Sequence, residues 1–232
     1  MAKLTQSAKK VRGRKMLTVR VKTAKYNKVS SNRWLERQLN DPYVAEAKQA
    51  GYRSRAAFKL IQLDEKYHFL GKGKRIVDLG CAPGGWTQIA AERNKGSGEI
   101  VGMDLLPTEP IKGAILLQYD FTKDDAAEKI KELLHGPADI VMSDMAANTT
   151  GVQNIDHLRT IGLVEAAYEF AKEILAEGGI FIAKVFQGGT ENELLADMKK
   201  YFTKVSHHKP DASRQDSVET YVVAQGFKGL LK

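Results

Sequence analysis

Apolar positions change rhythm along the chain near residue 74. Before it the spacing is helical. Ser31 or Asn32 can cap a helix through WLERQL, and Asp41-Pro42 can open the next, with the aspartate as cap and the proline at the first helical position. Gly51 interrupts that helix, and a third begins near Ser54 and runs through RAAFKLIQLDEKY, with Ala57, Leu60, Ile61 and Leu63 at roughly helical intervals. After residue 74, strands at 75–79, 99–104, 114–119, 138–143 and 179–186 alternate with helices at 85–92, 123–134, 155–176 and 191–201. Gly178-Gly179 supplies the stop for the long helix, and two strands at 204–208 and 220–224 close the chain. This alternation predicts an α/β fold: a mostly parallel, seven-stranded sheet with helices on both faces and one antiparallel strand in the last hairpin.

Charge divides the chain differently. Residues 1–30 carry ten Lys or Arg and no acid, which leaves 26 basic and 28 acidic side chains in the remainder of a chain whose net charge is +8. The expected organisation is a basic, disordered arm over 1–30 and one domain over 31–232 with a helical preface at 31–66. A positive arm favours nucleic acid as partner; a solubilising or membrane-surface tail is the alternative. The first residues lack the apolar core of a secretory signal, so export is not expected, although charge alone leaves a mitochondrial presequence open. No apolar run is long enough to span a bilayer. The single cysteine, Cys81, excludes an intrachain disulfide and an all-cysteine metal site, and the expected compartment is the reducing cytoplasm.

Candidate chemistry begins at residues 78–86, DLGCAPGGW, which read as strand, glycine turn and helix start. Glycines at 80, 84 and 85 permit backbone angles and a close ligand approach that a side chain would block, and Pro83 stiffens the turn. The pattern is neither G-x-G-x-x-G nor a phosphate loop, since no G-K-[ST] follows. A structural turn without ligand is the bland alternative. Asp104 ends the second strand about twenty residues beyond the loop, where a carboxylate can accept both hydroxyls of an adenosine ribose, a role shared by methyl-donor and nicotinamide enzymes. Asp120 ends the third strand, placed to reach an adenine edge, and Asp144 ends the fourth. Any one of these could be a turn or cap residue, but the repetition lines one rim with carboxylates. Lys184 stands in the otherwise apolar strand IFIAKVF, where an unpaired ammonium is costly. Asp144 is its candidate partner if the fourth and fifth strands are adjacent, and a buried ion pair without chemistry is the bland reading. Desolvation would favour the neutral amine and the aspartate the charged one.

The segments DLGCAPGGW, GMDLLP, YDF, SDMAAN, IAKVFQG and KPDASRQDSVETYVVAQGF resemble, in order and over residues 31–227, the FtsJ-like ribosomal RNA ribose 2′-O-methyltransferases. That resemblance implies a Rossmann-like S-adenosylmethionine-dependent methyltransferase. It implies methyl transfer to the 2′-hydroxyl of a uridine ribose in 23S rRNA, in the A-loop of the large ribosomal subunit, late in assembly, with S-adenosyl-L-homocysteine as product. It also implies a catalytic tetrad of Lys59, Asp144, Lys184 and Glu219, and cofactor contacts from Gly84, Trp86, Asp104, Asp120 and Asp144. In such a site Lys184 would act as base toward the ribose hydroxyl, Asp144 and Glu219 would orient it, and Lys59 would stabilise the developing alkoxide or a nearby phosphate. Spacing alone leaves Lys59 and Glu219 among ordinary surface residues. The chain departs from the family in carrying Ala147 where a proline is usual, and in its longer basic arm. Methylation of transfer RNA ribose, and a non-catalytic RNA-binding assembly factor, are the alternative functions.

For RNA contact the candidates are Arg33, Arg37, Arg53 and Arg55, which continue the positive front end up to Lys59, with a solvated helix face as the plain alternative. Trp34, Tyr43 and Tyr52 could stack on bases or belong to a core, and His207, His208 and Lys209 could touch the RNA rim. No structural metal is expected, and nothing demands more than a monomer.

Overall fold

The computed structural model describes residues 32, 35–36, 38–146, 153–186 and 192–230, with 153–157 and 192 as backbone only. The chain divides into two compact units, with the boundary along the sequence between Arg55 and Ala56. In the first, helix α1 (Pro42–Ala50) starts as its sequence requires: Asp41 accepts from the Tyr43 amide at 3.1 Å, and Pro42 opens the helix. Gly51 ends it in the left-handed region at φ 76°. Asp41 also binds the Arg55 guanidinium at 2.6 Å, and Arg55 lies over the Tyr43 ring. Arg55 is thus engaged inside its own unit, while Arg33, Trp34 and Arg37 lie outside the described residues.

The second unit opens with α2 (Ala56–Tyr67) and continues as β1 (Ile76–Leu79), α3 (Gly85–Asn94), β2 (Ile100–Asp104), β3 (Ile115–Gln118), α4 (Ala126–Leu133), β4 (Ala138–Ser143), α5 (Gln153–Ile174), β5 (Leu175–Phe186), α6 (Asn192–Tyr201), β6 (Phe202–His208) and β7 (Glu219–Phe227). The seven strands lie in the order β3-β2-β1-β4-β5-β7-β6, parallel except for β7, which runs antiparallel to both neighbours. Strand order reverses between β1 and β4, so the crevice at their carboxyl ends is where such a sheet places its ligand. β1 is buried at all four positions, as a central parallel strand should be. Val77, Val101, Val141, Phe181 and Val222 carry the core across the sheet toward Tyr168 and Ile174 of α5.

The long helix differs from expectation at its end. It stops at Ile174, and Leu175 already pairs with Ala138 before the register shifts to Ile140 opposite Ile180. The two glycines therefore form an irregularity inside β5 rather than a helix stop. Gly178 adopts φ 80°, and a Cβ on Gly179 would meet the Ala176 carbonyl oxygen at 2.7 Å. This kink lets one chain segment leave the helix and still enter the sheet in register with β4. Gly179→Ala is expected to destabilise the fold by about 1–3 kcal/mol, read as a lower urea midpoint with an unchanged slope.

Candidate methyltransferase site

The glycine loop is held from beneath. The Gly80 and Cys81 amides donate to the Met103 carbonyl at 2.8 and 3.3 Å, and the Ala82 amide donates to Asp104 Oδ2 at 2.9 Å. Gly80 has φ 71°, and a Cβ there would collide with the Met145 side chain. Gly80 therefore makes room for Met145, not only for a ligand. Gly84 is the N-cap of α3 at φ 105° and has no side chain to cap it, so the first turn of the helix presents amides suited to a carboxylate.

On the rim, Asp104 accepts from Ala82 through one oxygen and from the Leu106 amide through the other at 2.8 Å. Each oxygen keeps a second lone pair, which suits a pair of ribose hydroxyls. Asp120 takes both the amide and the hydroxyl of Thr122 on Oδ1, at 3.0 and 2.7 Å. Those bonds hold its carboxyl below the usual carboxylate range. These turn contacts fix the orientation of both side chains and leave acceptor capacity for an adenosine. The donor and acceptor set thus fits S-adenosylmethionine, a group with an amino-acid end, a ribose and an adenine.

Across the crevice, four distant residues converge. Lys59 comes from α2, Asp144 follows β4, Lys184 lies on β5 and Glu219 opens β7. Lys184 Nζ stands 3.1 Å from Asp144 Oδ1 and 3.6 Å from Glu219 Oε1. Lys59 Nζ stands 3.4 Å from Asp144 Oδ1 and 3.3 Å from Glu219 Oε2. Charges alternate around this ring. Register explains it: Ser143 pairs with Ala183, which sets Asp144 beside Lys184, and Lys184 pairs with Tyr221, which puts Glu219 diagonally across on the same face. The lysine side chains are only 9% and 6% exposed, against 17% for Asp144 and 25% for Glu219, so the ring opens on its carboxylate side. Burial pushes the Asp144 carboxyl up, but Lys184, Lys59 and the Tyr221 hydroxyl together hold it below the usual range. Glu219 is lowered in the same way, against burial, by Lys59 and Lys184. Burial pulls the Lys184 ammonium down, and Asp144 and Glu219 more than reverse that, so the balance left open by sequence falls on the charged side.

Comparison with known proteins shows the family. The FtsJ-like methyltransferase description matches residues 52–227. The chain belongs to the FtsJ-like methyltransferase family. It is 64% identical over 222 residues to the ribosomal RNA large subunit methyltransferase E of Paramagnetospirillum magneticum, covering 94% of this chain and 91% of that one. It is 60% identical over 210 residues to the protein of the same name from Novosphingobium aromaticivorans, covering 90% and 94%. A solved structure assigned as a ribosomal RNA methyltransferase from Plasmodium falciparum superposes with a TM-score of 0.70 at 36% identity, covering 77% of this chain and all of that one.

Within this FtsJ-like site, Tyr221 escaped the sequence reading, and Trp86, His208 and Lys209 make contacts it did not foresee. Tyr221 is fully buried and donates its hydroxyl to Asp144 Oδ1. Trp86, expected at the cofactor, turns its ring inward: Nε1 donates to the Ala56 carbonyl at 2.9 Å and the ring lies 5.6 Å from that of Tyr221. His208 Nδ1 accepts from the Lys66 ammonium at 2.9 Å, and Lys209 donates to the carbonyls of Gln215 and Ser217, bracing the loop that leads to Glu219. Ala147 lies outside the described residues.

Asp78, the aspartate of DLGCAPGGW, reaches from β1 to accept the Thr87 hydroxyl at 2.5 Å, tying strand to helix beneath the glycine loop. Burial raises its carboxyl to about 7, more than the Thr87 hydrogen bonds lower it. The folded protein thus retains a proton there that the unfolded chain releases near the ordinary value of 3.8. Because the folded state binds the extra proton, this group's contribution to stability declines as pH rises from about 4 to about 7 and is flat above. Asp78→Asn, which cannot ionise, is expected to flatten that decline when thermal midpoints of both proteins are followed across the same range.

Proposed function

We propose that this FtsJ-like enzyme works as a monomer in the cytoplasm and methylates a uridine ribose 2′-hydroxyl in the A-loop of 23S rRNA, on large subunits late in assembly. The observation that carries the reading is the alternating ring of Lys59, Asp144, Lys184 and Glu219 at the same crevice as the glycine loop. The names of the relatives support a large-subunit substrate.

Bound S-adenosylmethionine supplies an activated methyl group, which leaves orientation and electrostatics to the protein. Asp104 would hold the ribose hydroxyls, Asp120 the adenine edge, and the amides around Gly84 and Trp86 the amino-acid end. The acceptor hydroxyl enters from the open, carboxylate side of the ring. Lys184 takes its proton, after losing its own to solvent, while Asp144 and Glu219 keep the amine aimed. Lys59 stabilises the oxygen as negative charge develops on it. Arg53, with Arg33 and Arg37, is assigned to RNA phosphates.

Because Lys184 starts out charged, turnover is expected to climb through the alkaline range as its neutral fraction grows. Lys184→Ala should lower kcat by about 10²–10⁴-fold with S-adenosylhomocysteine affinity retained. Lys184→Arg keeps the charge but cannot release a proton, and should be equally slow. An active arginine variant would remove Lys184 as base. The substrate is tested by incubating labelled S-adenosylmethionine with undermethylated large subunits, free ribosomal RNA and transfer RNA. Label is expected on one uridine ribose of the large subunit; incorporation only into transfer RNA would overturn the proposal.

A further inference from the structure

The hydroxyl of Tyr221 is chemically conspicuous. Its ring is fully buried against Trp86, a setting that phenylalanine would fill equally well, and burying a phenol is unfavourable unless the oxygen is satisfied. Its partner is Asp144 Oδ1, the oxygen that also faces Lys59 at 3.4 Å and Lys184 at 3.1 Å. Three donors thus converge on one oxygen that accommodates about two well-directed bonds. The tyrosine makes the short one, and both lysines stand farther off than the roughly 2.7–2.9 Å of a strong charge-assisted bond. Lys184 makes its own short bond elsewhere, to the Asp144 backbone carbonyl at 2.7 Å. The Lys59 ammonium also lies 5.7 Å from the centroid of the Tyr221 ring.

We propose that Tyr221 is a positioning residue for methyl transfer, whose hydroxyl anchors Asp144 so that neither lysine locks onto that carboxylate. This rests on the tetrad reading. Among the described residues, the groups facing Asp144 are Lys59 from α2, Lys184 from β5, and Glu219 and Tyr221 from β7, with Asp78 on β1 adding a like charge. Without the phenol, Asp144 Oδ1 turns fully to the lysines, becomes more basic, and holds the Lys184 proton more firmly. The neutral amine then appears only at higher pH.

The test is Tyr221→Phe in the full chain, measured for S-adenosylhomocysteine affinity, thermal midpoint, and kcat and KM on large subunits across pH. Affinity should stay within about twofold, kcat should fall about tenfold, KM should hold, and the rising limb of the pH profile should move to higher pH. An unchanged kcat and limb would overturn the proposal, as would a loss of kcat matched by equal loss of S-adenosylhomocysteine affinity, which is what a packing role predicts. Should the phenylalanine variant fail to fold, 3-fluorotyrosine at position 221 keeps the ring and gives a more acidic, stronger donor. It should shift the limb to lower pH, and an unmoved limb would overturn the proposal. Lys184→Ala run in parallel separates the two readings. If it stays active the tetrad reading falls; if it is dead while Tyr221→Phe matches wild type, only this inference does.

Discussion

Two ammonium groups and two carboxylates share a mostly buried space at the carboxyl ends of β4 and β5, and each depends on the others to be tolerated there. An uncompensated charge in such a place is costly, and pairing in a low-dielectric site repays that cost only when geometry is good. The surrounding architecture meets this condition by drawing each member from a different element. Parallel pairing of β4 with β5 sets Asp144 beside Lys184, the antiparallel insertion of β7 brings Glu219 across from it, and α2 lowers Lys59 onto both acids. The irregularity at Gly178-Gly179 belongs to the same construction, because it brings the strand bearing Lys184 into register after a long helix.

How much of this was readable from sequence follows from how local each signal is. The strand and helix alternation and the cap at Asp41 are written in neighbouring residues, and the structure has them with shifted ends. Lys184 drew notice because a charge interrupts an apolar strand. Lys59 and Glu219 are 160 residues apart and each looks ordinary in its own segment. Only the resemblance to a family singled them out, since nothing short of the folded register makes them neighbours. Tyr221 was hidden for the opposite reason: an aromatic in a buried strand fits the core pattern so well that its hydroxyl goes unnoticed. Asp78 lies within the first strand and nothing in its own segment marks it as the tie from β1 to Thr87. Gly80 was read as space for a ligand, and its neighbour proved to be Met145.

That last contact bears on how the two halves of the site work together. Met145 follows Asp144 directly, so Gly80 of the glycine loop and a carboxylate in the charge ring are coupled through one packed side chain. Trp86 makes a second coupling: it sits in the first turn after the loop, fastens the start of the helix that carries Lys59, and packs on the tyrosine that holds Asp144. A reaction in which a hydroxyl must attack a methyl group in line is sensitive to small errors in the relative placement of donor and acceptor. In this fold a shift of the glycine loop cannot occur without disturbing the neighbours of Lys59 and Asp144. The same short contacts that satisfy buried polar groups therefore also tie the glycine loop to the ring of Lys59, Asp144, Lys184 and Glu219.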